Sequence, residues 1–277
     1  LVVGTAAAPV IAKAEIVFSG TAASEGEWGL GLIAFGKVTM HGTVKTPHSR
    51  VVYGAGTESS DPVWWAVTPT LLDTWESGDK VVLPDTRVIK TPDEVEVLEV
   101  DYVITLDGTH IVAFKSNVVK DHFGYTDSDG APAWEHHLLN LTRSVVVRSE
   151  STAHLNRGHM AFLDFAEPDL RYVEVRVMGR TTNAACAQIG RYPVHMHKMA
   201  AVFNVEGCSV HNTVRNSPGA KWGITVHNSN FGTLKNNVVH KFDGAGIAFE
   251  DGTEYKNVCD GNIVCDVYGT GDRFNKG

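Results

Sequence analysis

Val194-His195-Met196-His197, Ile224-Thr225-Val226-His227 and Ile247-Ala248-Phe249-Glu250 are three runs in which an apolar residue takes every second place. A period of two is the signature of a β-strand with one buried face. Each run is followed by a second: Ser209-Val210-His211, Val238-Val239-His240 and Ile263-Val264-Cys265. Asn237 and Asn262 stand just before this second run, and Cys208 takes the place in the earlier repeat. Two strand types recurring in fixed order, with asparagine at the turn, predict a parallel β-helix. Its successive coils stack about 4.8 Å apart, and asparagine at the turn suits the left-handed conformation. His227 lies 30 residues after His197 and Glu250 lies 23 after His227, so loops of unequal length are inserted between coils.

Outward from this stretch the chain reads as all-β. Short runs broken by Gly, Asn, Asp and Pro predict strands at 14–19, 36–42, 50–53, 80–83, 94–107, 111–114, 144–148 and 172–177. No apolar pattern of helical period is sustained over three turns. The character changes near Ser151. Before it, longer loops carry proline, at Pro62 to Trp75 and Lys120 to Trp134. After it the repeat takes over. Two regions are expected, 1–150 and 151–277, the second continuing past Gly277 because solenoids need capped ends and no cap is visible. The apolar start, Leu1 to Ala12, reads as a buried strand of a domain opened at its N-terminus.

Composition sets the class. At 43% hydrophobic and 20% charged residues the chain is globular, not disordered or fibrous. Its formal charge is -8 and it has no basic block, which argues against binding nucleic acid through phosphates. No run reaches the ~18 apolar residues of a membrane span. Four cysteines without a CxxC pair make neither a zinc ribbon nor a disulfide framework. Asn140-Leu141-Thr142 is a glycosylation acceptor if the chain is secreted.

With Val194, Met196, Ile224, Val226, Ile247 and Phe249 pointing inward, His195, His197, His227 and Glu250 point outward. His197, His227 and Glu250 then form one ladder along the coil axis, with His195 beside it. Imidazoles and a carboxylate one strand spacing apart suit a divalent metal or general acid–base chemistry. Asp251 follows at the turn. His211, His240 and Cys265 form a second outward ladder, with no carboxylate in register, and read as structural. Arg191, just before the His-x-His strand, either clamps a sugar carboxylate or fixes the turn. Trp64 and Trp75 are expected in the core. No P-loop, HExxH, nucleophile elbow or dinucleotide fingerprint is present.

Five segments resemble one family. Trp75-Glu76-Ser77-Gly78-Asp79-Lys80-Val81-Val82-Leu83, Gly36–Thr43 and Leu139–Val147 are similar to strands of the eight-glycine domain. Gly190-Arg191-Tyr192-Pro193-Val194-His195-Met196-His197 and Phe249-Glu250-Asp251-Gly252 are similar to elements of the β-helix that follows it. The family is that of the cell-migration-inducing hyaluronan-binding protein, transmembrane protein 2 and the fibrocystins. The resemblance implies a partial eight-glycine domain, lacking its first strands, that runs into a right-handed parallel β-helix of an extracellular protein. For some members it implies hyaluronan binding or depolymerisation. Ser144 and Met196 depart from the family's usual Asn and Phe.

The function expected is therefore glycan binding or polysaccharide cleavage by hydrolysis or elimination. His227 would be a base or metal ligand, Glu250 an acid or metal ligand, and Arg191 the substrate clamp. His195, His197, His227 and Glu250 would hold a divalent metal. The competing expectation is a non-catalytic module of a cell-surface or filament-forming glycoprotein that self-associates end to end.

Overall fold

Three parallel sheets are visited in unchanging order, and that order is the coil. The computed structural model describes residues 1–20, 29–54, 63–69, 72–86, 95–120, 122, 125–126, 132–134, 136–181, 190–212 and 221–267. The first sheet stacks β1 (Val2–Val3), β4 (Lys37–His41), β16 (Glu167–Arg171), β19 (Asn204–Glu206), β22 (Thr233–Lys235) and β25 (Val258–Asp260). The second stacks β2 (Ala14–Phe18), β14 (Val145–Ser149), β17 (Val173–Arg176), β20 (Ser209–His211), β23 (Val238–Phe242) and β26 (Ile263–Val267). The third stacks β3 (Leu32–Ala34), β15 (Met160–Asp164), β18 (Val194–Met199), β21 (Trp222–His227) and β24 (Ala245–Phe249). This is a parallel β-helix: every described pairing between these strands is parallel, with one register shift, after Leu163 in the β15–β18 pair. Ile224 pairs with Ile247 and Val239 with Val264, as the repeat requires.

Apolar residues fill the lumen in layers: Met160 and Phe162, then Val194 and Met196, then Ile224 and Val226, all buried. Ile247 packs partly against this core. Phe249 does not follow the expectation. It is 38% exposed, because β24 is the outermost strand of its sheet among the described residues. The turn from first to second sheet holds the asparagine ladder. Asn237 donates from Nδ2 to Val205 O and to Asn262 Oδ1, and Asn262 Nδ2 donates to Leu234 O. The left-handed residue is the one before it: Tyr172, Gly207, Asn236 and Gly261 have φ of 53°, 62°, 55° and 63°. At Gly207 a Cβ would lie 2.4 Å from the Tyr172 ring, so glycine is required where coils stack this closely.

The division expected at Ser151 is replaced by an insertion. Leu1–Val44 and Arg143–Gly277 form one compact unit, and Lys45–Thr142 forms another. Residues 1–44 join the coil because β2, β3 and β4 supply parallel partners for β14, β15 and β16, and β1 pairs in parallel with β4. The insertion is antiparallel, a seven-stranded sheet in the order β5 (His48–Arg50), β13 (His137–Asn140), β8 (Lys80–Leu83), β9 (Glu96–Leu106), β10 (Thr109–Val118), β7 (Val63–Thr68) and β6 (Tyr53–Gly54). A short pair, β11 (Tyr125–Thr126) and β12 (Pro132–Trp134), stands apart. The stretch read as a loop from Pro62 is thus partly strand, and the strand expected at 50–53 is split between β5 and β6. Trp75 is buried, as expected, and its Nε1 donates to Thr46 O. Trp64 is 47% exposed instead, edge-on to Tyr102.

The sequon is also corrected. Asn140 is fully buried. Its Nδ2 donates to Asp79 Oδ2 at 2.8 Å, and its Oδ1 accepts from Thr142 N. The same Asp79 carboxylate takes the buried Lys45 ammonium at 2.7 Å. An amide used in this way is closed to a glycosyltransferase, so the residue is structural. No helix among the described residues is long and apolar enough to cross a membrane.

Candidate functional site

Side chains of the third sheet that alternate with the buried Val194, Met196, Ile224 and Val226 face outward. Register places His197 beside His227, and His195 beside Thr225. Glu250 follows β24 directly, its N–H donating to Val226 O, and so continues the His197–His227 ladder by one coil. Stacking of successive coils is what gathers residues so distant in sequence.

The three imidazoles converge. One ligating nitrogen from each of His195, His197 and His227 lies within 4.8 Å of the others. The His197 and His227 rings meet edge to face at 4.6 Å, and the His195 and His197 rings at 4.9 Å. His195, expected on an open face, is only 3% exposed. It points away from the lumen, but Tyr192 packs against it at 5.0 Å, and Tyr192 in turn stacks on Trp222. Gly190 O lies 2.9 Å from His195 Nδ1. A carbonyl only accepts, so Nδ1 carries the hydrogen and Nε2 keeps a lone pair, buried and without a partner among the described residues. His197 Nδ1 is likewise buried without a partner.

Burial keeps the His195 and His197 rings neutral. Burial first, and then His197, lowers His195 to about 3. Burial and His227 lower His197 to about 4. His227 sits between two carboxylates, Nδ1 at 3.3 Å from Glu250 Oε2 and Nε2 at 3.2 Å from Asp251 Oδ2. Burial raises the Glu250 carboxyl above its ordinary range, against the pull of His227. These groups line a cavity of about 150 Å³ together with Arg191 and His159. The expected site residues His195, His197, His227, Glu250 and Arg191 therefore share one cavity. The sequence reading missed His159. Its signal was a fourth repeat, Met160-Ala161-Phe162, which pairs with Val194-His195-Met196 in the same alternation.

In the second ladder His211 and His240 are buried. His211 Nε2 lies 3.3 Å from Glu174 Oε1, a carboxylate supplied diagonally by the preceding coil, and His240 Nδ1 lies 3.4 Å from Cys265 Sγ.

Residues 156–272 match the family model of the CEMIP beta-helix. This stretch is similar to the CEMIP β-helix. It contains all five expected site residues and His159, whereas the insertion lies outside it. Fibrocystin-L of Mus musculus is 24% identical over 315 aligned residues, covering 95% of this chain and 7% of the mouse protein. Fibrocystin-L of Homo sapiens is 27% identical over 98 residues, covering 34% of this chain and 2% of the human protein. The chain thus spans a small part of the curated relatives it matches. Among solved structures, the tailspike protein gp49 of Pseudomonas phage LKA1 aligns over 94% of this chain and 39% of its own, at 13% identity and a TM-score of 0.26.

Proposed function

We propose that the coil is a glycan-cleaving module centred on a divalent metal held by His195, His197 and His227. The observation that carries this reading is the convergence of three ligating nitrogens within 4.8 Å. Neutral imidazoles are the form that binds metal, and three histidines with an open position suit zinc-class ions. The His195 Nδ1–H, fixed on Gly190 O, aims Nε2 as a ligand in the way outer-shell partners do. His227 offers one nitrogen to the ion and keeps a carboxylate, Glu250 or Asp251, on the other. The bound ion supplies polarisation of a water or sugar oxygen.

The chain's own residues supply the rest. Glu250, whose carboxyl burial holds protonated to higher pH, passes a proton to the glycosidic oxygen as the C–O bond breaks; water adds at the anomeric carbon and gives its spare proton back to the Glu250 carboxylate. Arg191, on the cavity wall, takes a substrate carboxylate. The substrate class is a uronic-acid polymer of the hyaluronan type, met outside the cell. Asn140 adds no support for secretion, because it is buried.

Zinc-loaded protein incubated with uronic-acid polysaccharides tests the reading. Cleavage by the wild type and its loss by at least about 100-fold in His227→Ala are expected, with an unchanged circular dichroism spectrum. No cleavage of any such polymer by the folded, metal-loaded wild type contradicts it and leaves a structural module.

A further inference from the structure

His159 stands immediately before β15, one coil ahead of the histidine cluster. Its Nδ1 lies 2.9 Å from Leu30 O, so Nδ1 donates and Nε2 keeps the lone pair. Leu30 O also accepts from Arg180 Nη1 at 2.8 Å. Gly31 lets the ring lie this deep, since a Cβ there would come within 2.5 Å of Nδ1. The side chain is 1% exposed, and Nε2 is buried without a partner among the described residues. His159 lines the same cavity as His195, His197, His227 and Arg191, yet it is not among the three histidines whose nitrogens converge.

A buried acceptor with nothing donating to it costs stability, so native proteins rarely leave one at a cavity wall unless something fills the cavity. This acceptor is fixed twice, by the carbonyl that sets its tautomer and by the glycine that seats its ring. Burial, with Arg180 and Arg191 nearby, lowers its pKa to about 3. It stays neutral at ordinary pH and can only accept.

We infer that His159 Nε2 is a ligand-binding group that accepts a hydrogen bond from a neutral hydroxyl of the sugar ring seated at the histidine cluster. The inference rests on the glycan reading given above. It adds a division of labour: Arg191 meets a carboxylate, and His159 meets a hydroxyl. A ring with no hydrogen at that place leaves the lone pair unpaired, and a site built to bond a hydroxyl rejects such a ring strongly.

The test uses the full chain, zinc-loaded, and a hexasaccharide of alternating uronate and N-acetylhexosamine as probe, with calorimetry for both metal and sugar. His159→Phe keeps the ring and removes the acceptor. The expected result is zinc affinity within about twofold of wild type and hexasaccharide affinity at least about tenfold weaker. Unchanged hexasaccharide affinity in the folded variant overturns the inference, because Nε2 then meets only water. A fall in zinc affinity of the same size also overturns it, because His159 is then a ligand. Should His159→Phe not fold, 15N imidazole spectra of the wild type decide. A shift of the His159 Nε2 signal on adding hexasaccharide supports the inference, and no shift overturns it. A wild type that takes up zinc but no hexasaccharide defeats this inference and leaves the metal site standing. One that takes up neither defeats both.

Discussion

The coil and its insertion are both all-β, yet they use polar residues in opposite ways. In the insertion, charge is spent on structure: Lys45 and Asn140 both donate to the buried Asp79 carboxylate. In the coil, histidines of the third sheet keep lone pairs that no described residue uses. Geometry explains the difference. In the antiparallel sheet neighbouring strands run in opposite directions, so a spacing repeated along the chain is not carried from strand to strand. A parallel coil returns the same position to the same face at each turn, so a polar residue repeated in register becomes a column. Two imidazoles and a carboxylate, His197, His227 and Glu250, accumulate in such a column, and His195 stands beside it on the same strand as His197.

The contrast should be largest in acid. His159 and His195 have native pKa values of about 3, below the ordinary histidine range. Between about pH 6.5 and pH 3 the unfolded chain binds protons that the folded coil refuses. The contribution is complete above pH 6.5 and is lost as pH falls through that window, on the order of 4 kcal/mol for each buried ring. Hydrogen exchange followed by mass spectrometry should show protection of residues 143–267 declining steeply across this range in metal-free protein. Protection that stays flat down to pH 3 breaks the contrast.

A charge substitution probes the other side. Asp79→Ala leaves the buried Lys45 ammonium with only the exposed Glu76 carboxylate at 3.4 Å and should cost about 3–5 kcal/mol, read as lost protection within 45–142. A cost under 1 kcal/mol would show that the buried pair carries little.

Within the coil, layers should differ. Phe162→Ala opens a cavity between stacked coils and should cost about 3–5 kcal/mol in a denaturant melt. Phe249→Ala should cost less than about 1.5 kcal/mol, since that side chain is 38% exposed. Equal costs would show that the outermost described strand is covered as fully as the inner ones.

The coil was legible in the sequence where the repeat was regular. Val194, Ile224 and Ile247 gave the third sheet, and Val210, Val239 and Val264 the second. The column of His197, His227 and Glu250 followed from register alone. Three things were hidden. The first coils of the chain carry no polar marker in common with the later ones, and 98 residues, 45–142, separate β4 from β14, so residues 1–44 looked like part of a separate region. Burial of outward residues was hidden too: His195 lies under Tyr192, and alternation tells direction, not cover. His159 was hidden because it precedes its strand, where alternation has not yet begun.

Metal content tests the central claim most directly. Protein stripped with a chelator, then dialysed against limiting zinc at pH 7.5, should retain about one ion per chain by mass spectrometry. His197→Ala should lower that affinity by at least about 100-fold, whereas His240→Ala, in the second ladder, should leave it unchanged. A wild type that takes up no zinc, cobalt or manganese, or an affinity that His197→Ala does not alter, would contradict the account.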